Sequence, residues 1–176
     1  MGIIEILSQA RLGTERDFLV IGGYAVNAHG YSRQTLDLDI LIKKEQSGFW
    51  KKLLLDNGYT VYCERESFLQ LAPVTQDQMP VDFMLVNEQT FSKMYAEAVD
   101  GMLGGMSVKH PSLMHLVALK LHVLKQEMPH RELKDLYDVI QLMNINKVDA
   151  RTDDFKQLCE RYGNLKLYET IVRATR

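Results

Sequence analysis

The sequence predicts an α/β (α+β) fold, with strands and helices alternating over residues 1–88 and helices alone over residues 89–176. Three observations lead there. Short apolar, β-rich runs bounded by glycine or proline recur in the first half. Apolar residues at three- and four-residue spacing fill the second. A composition of 46% apolar and 25% charged residues over 176 positions is that of a globular chain able to bury its own core.

Taken in order, Ile3, Ile4, Leu7 and Ala10 share one helical face and Gly13 follows, so residues 2–12 read as an amphipathic helix. Phe18-Leu-Val-Ile21 is a short buried strand that runs into Gly22-Gly23 and a helix over residues 24–28, ended by Gly30. Leu36–Ile42 reads as the next strand and Glu45–Asn57 as a helix closed by Gly58. Strands are expected at Tyr59–Cys63, Phe68–Ala72 and Val81–Val86, with Pro73 and Pro80 marking the breaks. Beyond Asn87 the expectation is helical: Glu88–Val99, a glycine-rich turn at Gly101–Gly105, Ser112–Lys125, Arg131–Met143, Asp153–Tyr162 and Leu165–Ala174. Pro111 and Pro129 stand where two of these helices begin. The expected organisation is an α/β core at 1–88 with a helical half at 89–176 packed on it.

A net charge of −2 argues against a protein that coats nucleic acid over its whole surface. Cys63 and Cys159 lie far apart with no CxxC or Cys/His cluster, which suggests reduced thiols rather than a disulfide framework or zinc site. No apolar run approaches a membrane span, and the opening Met-Gly-Ile-Ile-Glu lacks the basic start of a signal peptide. A cytoplasmic protein with no membrane partner is the expectation. Walker A, dinucleotide, GxSxG and HExxH patterns are missing from the sequence, so those reaction classes lose support.

The chemistry concentrates in Ile21-Gly22-Gly23, thirteen intervening residues, then Asp37-Leu38-Asp39-Ile40. On a strand, Asp37 and Asp39 project to one side, about 7 Å apart at Cα, while Leu36, Leu38 and Ile40 face the other way. Two carboxylates converging without a cation repel, whereas a hard divalent ion such as Mg²⁺ removes the penalty. Gly22-Gly23 between strand and helix lets the backbone pass close to an anion. A nucleoside triphosphate with its Mg²⁺ satisfies both demands.

This arrangement resembles the nucleotidyltransferases of the DNA-polymerase-beta type, whose signature is an apolar residue, Gly-Gly or Gly-Ser, a spacer of this length, and Asp-apolar-Asp-apolar. The longer string from Gly22 to Asp39 is most similar to the abortive-infection and toxin (AbiEii-like) branch, and less closely to the antibiotic-modifying branch. The resemblance implies a nucleotidyltransferase-type mixed sheet flanked by helices, followed by a C-terminal helical bundle. It also implies a third carboxylate on a neighbouring strand, matched by Asp82 in Pro80-Val-Asp-Phe-Met-Leu-Val86. An acid inside an otherwise apolar strand needs a partner or a metal, or else points to water from an edge strand. Asp77, the nearest rival, lies in a polar loop.

In the helical half, Lys120 falls in the stripe Leu113, Leu116, Val117, Lys120, Leu124, with His115 and His122 opposite. Such a lysine either snorkels to water or reaches the phosphates, and the toxin branch has a lysine on a helix at a comparable place. The next helix is expected to put Leu133, Leu136, Tyr137 and Ile140 on its core side. Arg131 with Asp135, and Lys134 with Asp138, are spaced as solvent-facing ion pairs. The Lys134-Asp135-x-x-Asp138 string resembles the last motif of the toxin branch, which implies a site role for Asp135. Arg33 and Thr35 lie in Arg-x-Thr-x-Asp-x-Asp, where Arg33 meets a phosphate or pairs with an acidic neighbour. His29 reads as packing or capping.

The expected activity is therefore Mg²⁺-dependent transfer of a nucleoside monophosphate from an NTP, ATP among them, to a hydroxyl, releasing pyrophosphate, with one or two metal ions. Asp37, Asp39 and Asp82 hold metal, and Gly22, Gly23, Arg33, Thr35 and Lys120 hold nucleotide. Asp37, Asp39, Asp82, Lys120 and Asp135 form the catalytic set. The toxin resemblance implies tRNA or a protein as acceptor and an antitoxin as partner. The alternatives are a small-molecule (antibiotic) nucleotidyltransferase and a non-catalytic nucleotide- or partner-binding module of the same fold.

Overall fold

A computed structural model describes residues 2–126 and 129–175, with backbone alone at 129–132. The order of elements is α1 (Ile3–Arg11), β1 (Leu19–Val20), α2 (Gly22–Ala28), β2 (Leu38–Lys43), a 3₁₀ turn (Lys44–Gln46), α3 (Ser47–Asp56), β3 (Tyr59–Glu64), β4 (Phe68–Pro73), β5 (Val81–Val86) and α4 (Glu88–Ala96). There follow β6 (Val99–Leu103), β7 (Met106–His110), α5 (Leu113–Lys125), α6 (Pro129–Ile145), α7 (Asp153–Tyr162) and α8 (Leu165–Ala174). The mixed α/β fold expected from sequence is the fold observed.

Two compact units divide the chain, one built from the residues up to Ala25 with Gln34–Ser112, the other from Val26–Arg33 with the residues from Leu113 onward. The division falls inside α2. The C-terminal part of the helical unit begins at Leu113, because residues 99–110, where a helix end at Val99 and a turn at Gly101–Gly105 are expected, form a β6–β7 hairpin that belongs to the α/β unit. Its two-residue loop is Gly104-Gly105, both at positive φ (55° and 80°), the backbone a tight hairpin requires. The glycine pair is plain in the sequence, but the short runs on either side of it are equally compatible with the tail of a helix.

In the α/β unit, the five-stranded sheet has the order β1-β2-β5-β4-β3. Only the β2–β5 pair is parallel; the others are antiparallel. Leu38, Ile40, Ile42, Val81, Phe83, Leu69 and Leu71 line the core face with α1 and α3, around Trp50, which meets Phe18 edge-on at 5.8 Å. The period-2 alternation of β2 and β5 thus commits one face to oil and leaves Asp39 and Asp82 on the other. Asn87 ends β5 and caps α4, its side chain accepting the Thr90 N–H at 2.8 Å.

In the helical unit, α5 buries Leu116, Val117, Lys120 and Leu124 as its spacing predicts, while Leu113 of that stripe is partly buried and Leu121 beside it is buried too. Helix α6 is rotated from expectation: Leu133 and Tyr137 are 81% and 53% exposed and Leu136 and Ile140 only partly buried, whereas Asp138, Val139, Leu142 and Met143 are buried. The inward stripe runs Asp135–Asp138–Val139–Leu142–Met143, and the two acids on it hide that face from a reading based on apolar residues.

Both cysteines are free. Cys159 is fully buried and burial pushes its thiol up to about 12, whereas Cys63 is partly exposed. The thiolate is the reactive form, and burial keeps Cys159 in its protonated state near neutral pH. A thiol-specific reagent is expected to titrate one cysteine promptly in the native protein and the second only on unfolding, with Cys63→Ser abolishing the prompt reaction.

Candidate active site

The site is assembled at the ends of β1, β2 and β5 in the α/β unit. Gly22 opens α2 at φ +58°, and a Cβ built there would run into the Asp39 carboxylate. Only glycine permits both that backbone and that approach. The turn is tied to the acid strand, since the Ile21 N–H donates to the Asp39 carbonyl at 2.9 Å.

Asp39 stands beside Asp82 in the parallel β2–β5 register. Strand β5 is the central strand of the five, so Asp82 is not an edge carboxylate turned to water. Asp37 departs from expectation in lying one residue before β2 rather than on it. It is held there by the Thr35 hydroxyl, which donates to Asp37 Oδ1 at 3.0 Å. Asp37, Asp39 and Asp82 each present a carboxylate oxygen, all within 4.8 Å of one another, and all three are partly buried. Asp77 is exposed in the loop between β4 and β5, outside this cluster.

Three carboxylates at that separation repel one another by about 3 kcal/mol per pair at an effective dielectric of about 20. Hard oxygen donors so gathered fit a hard divalent ion such as Mg²⁺. Sequence reasoning missed one contact: Gln70, opposite Asp82 on β4, donates its amide to Asp82 Oδ2 at 2.7 Å.

The remaining expected residues lie in the helical unit. Arg33 makes a two-pronged pair with Asp138, Nε to Oδ1 at 2.7 Å and an Nη to Oδ2 at 2.8 Å. Of the two readings of Arg33, the acidic neighbour is the contact made. Asn27 grips the Arg33 backbone, accepting its N–H at 2.9 Å and donating to its carbonyl at 3.0 Å. Lys120 does not snorkel: its side chain is 7% exposed, with Nζ 2.7 Å from Asp135 and 2.6 Å from Asp138. Asp138, expected as a solvent-facing partner of Lys134, is instead the 1% exposed hub of this network. The expected Arg131–Asp135 pair lies outside the described residues. The signal that could have found Asp138 was Lys120 itself, since a buried ammonium requires a buried carboxylate. The His29 carbonyl accepts the Asn146 amide at 3.0 Å, a packing contact.

A mixed sheet that carries a glycine turn against one of three converging carboxylates is the arrangement expected of a nucleotidyltransferase. The sequence matches, over residues 24–176, a family described as uncharacterised nucleotidyltransferases, and the chain belongs to that family. No curated protein matches the sequence. Among solved structures, the chain is similar to ANT(2")-Ia in complex with adenylyl-2"-tobramycin (16% identity, 98% of this chain and 93% of that one, TM-score 0.58). It is similar also to an antigenic nucleotidyltransferase-like protein from Paracoccidioides brasiliensis (14% identity, 98% and 91% covered, TM-score 0.54). A third likeness is to the lincosamide antibiotic adenylyltransferase LnuA with lincomycin bound (14% identity, 78% and 93% covered, TM-score 0.54). At these identities the likeness is one of fold. No helix among the described residues is long and apolar enough to cross a membrane.

Proposed function

We propose that this chain moves a nucleoside monophosphate from an NTP, ATP among them, to a hydroxyl acceptor in a Mg²⁺-dependent reaction. The observation that carries the reading is the convergence of Asp37, Asp39 and Asp82 within 4.8 Å beside a glycine turn that fits no side chain. Bound there, Mg²⁺ would supply Lewis-acid stabilisation of the charge that develops on the phosphates. Asp37, Asp39 and Asp82 hold the ion, with Asp37 oriented by Thr35 and Asp39 by the Gly22 turn. Gly22 and Gly23 leave the backbone open to the triphosphate. Asp82 accepts the acceptor's hydroxyl proton as that oxygen bonds to the α-phosphorus, the bond to the β-phosphate bridge breaks, and pyrophosphate leaves.

The resemblance also assigns Arg33, Lys120 and Asp135 to the reaction. Their buried ion pairs support a structural role for them first. The AbiEii-like string favours tRNA or a protein hydroxyl as acceptor, an antitoxin as partner and a cytoplasmic setting. The fold likeness to LnuA, with its bound lincomycin, favours as the second reading a small hydroxylated antibiotic, since one fold serves many acceptors.

The test is label transfer from each α-labelled nucleoside triphosphate, with Mg²⁺, into a mixture of cellular RNA, protein extract and hydroxylated antibiotics. Label in RNA or protein that disappears with Asp39→Ala is the expected result. Label in the antibiotic fraction alone establishes the second reading. No label with a folded wild type overturns transfer and leaves a nucleotide-binding module.

A further inference from the structure

Asp39, Asp82 and Gln70 occupy one continuous cross-strand row over β2, β5 and β4, in the registers Asp39↔Asp82 and Gln70↔Asp82. The row begins at the glycine turn, passes through the partly buried, uncharged Gln70 amide and continues to Cys63 on β3. The Gln70 amide N–H meets Asp82 Oδ2 at 2.7 Å, a short charge-assisted bond that fixes the carboxylate's rotation about its own axis. On a paired strand, Gln70 can neither slide nor turn its side chain to the other face.

We propose that Gln70 is a positioning residue of the acid cluster: it aims the Asp82 carboxylate at Asp37 and Asp39 without neutralising it. The uncharged donor matters. A lysine or arginine opposite Asp82 would orient it equally well but would offset the negative charge that a divalent cation needs, whereas an amide leaves the full carboxylate charge in place. Partners that orient a metal-binding carboxylate are worth roughly 10–100-fold in metal affinity or activity when removed. The inference deepens the nucleotidyl-transfer reading and rests on it for its chemistry, but its test does not require turnover.

Mn²⁺ is the probe, its free concentration read by electron paramagnetic resonance, for wild type, Gln70→Met, Gln70→Lys and Asp82→Asn. Methionine keeps the length and packing of glutamine and loses the donor; lysine keeps a donor and adds charge. With circular dichroism and melting temperature unchanged, Gln70→Met is expected to weaken Mn²⁺ binding about tenfold, and Gln70→Lys by more. Equal Mn²⁺ affinity in Gln70→Met and wild type overturns the proposal, as does a wild type with no Mn²⁺ site that Asp82→Asn removes. Either outcome stands even where wild type transfers no label, the result that would sink the reaction and not the positioning. Where transfer is seen, the fall in Gln70→Met activity is expected to shrink as Mg²⁺ is raised.

Discussion

Asp39→Asn is expected to abolish nucleotidyl transfer while leaving the protein at least as stable as wild type. Asparagine keeps the shape that the Gly22 turn is built around, where the gap to Asp39 Oδ2 admits no methyl group. It removes one of three negative charges whose oxygens lie within 4.8 Å. Several kcal/mol of charge stabilisation would depend on an ion held by those oxygens, and each 1.36 kcal/mol is a factor of ten, so on the proposed mechanism the rate should fall by about a thousandfold. The same substitution relieves repulsion in the ion-free protein. Relief of at least about 1 kcal/mol, the value for one such pair in bulk water, corresponds to roughly 2–4 °C in melting temperature for a chain of this size. On the proposed mechanism Mg²⁺ should raise the melting temperature of wild type, since an ion held by the folded cluster alone stabilises the folded state, and should not raise that of Asp39→Asn. Thermal melts with and without Mg²⁺, run beside the transfer assay, check both halves. Retained transfer within tenfold of wild type would place the chemistry elsewhere, and a marked loss of stability would make Asp39 a structural residue.

Asp138→Ala is expected to be the most destabilising single substitution among the charged residues of the helical unit. Asp138 receives both prongs of Arg33 and the Lys120 ammonium at 1% exposure. Removing it takes the two-pronged partner from Arg33 and one of two carboxylates from Lys120, whose other partner, Asp135, is 13% exposed. Breaking a buried pair from one side costs about 3–5 kcal/mol, or a fall of about 10 °C in melting temperature, a large part of the stability a domain has. Asp135→Ala should cost clearly less, because Lys120 retains Asp138. Replacing the cation and the hub together, Lys120→Met with Asp138→Leu, should recover part of the loss, since a well-packed apolar pair is often no worse than the ion pair it replaces. Equal costs for Asp135→Ala and Asp138→Ala, measured by thermal or urea denaturation, would contradict the hub. Loss of transfer in the rescued double variant, at wild-type stability, would return Lys120 to the reaction.

What can be read from the chain alone is whatever short-range geometry dictates. Ile21-Gly22-Gly23 needs no tertiary information to be recognised as a turn open to an anion. Period-2 alternation in Val81–Val86 is enough to set Asp82 apart from its apolar strand, and the spacing in α5 is enough to place Lys120 on a buried stripe. Asp37 falls one residue outside its expected strand because strand ends depend on which neighbour supplies the ladder, and β2 finds its partners in β1 and β5. The β6–β7 hairpin escapes a local reading because two strands joined by Gly104-Gly105 are stable only when a sheet forms, and sheet formation is not local. Tertiary structure alone decided which face of α6 turns inward. Apolar residues occupy both candidate faces; what separates them is that Lys120 and Arg33 each require a carboxylate where water is excluded, and only the face bearing Asp135 and Asp138 provides one. The same holds for Gln70, an ordinary strand residue until antiparallel pairing sets it opposite Asp82. Local pattern marks the residues that carry charge; long-range pairing determines which charges meet, because their electrostatic worth exists only after burial brings them together.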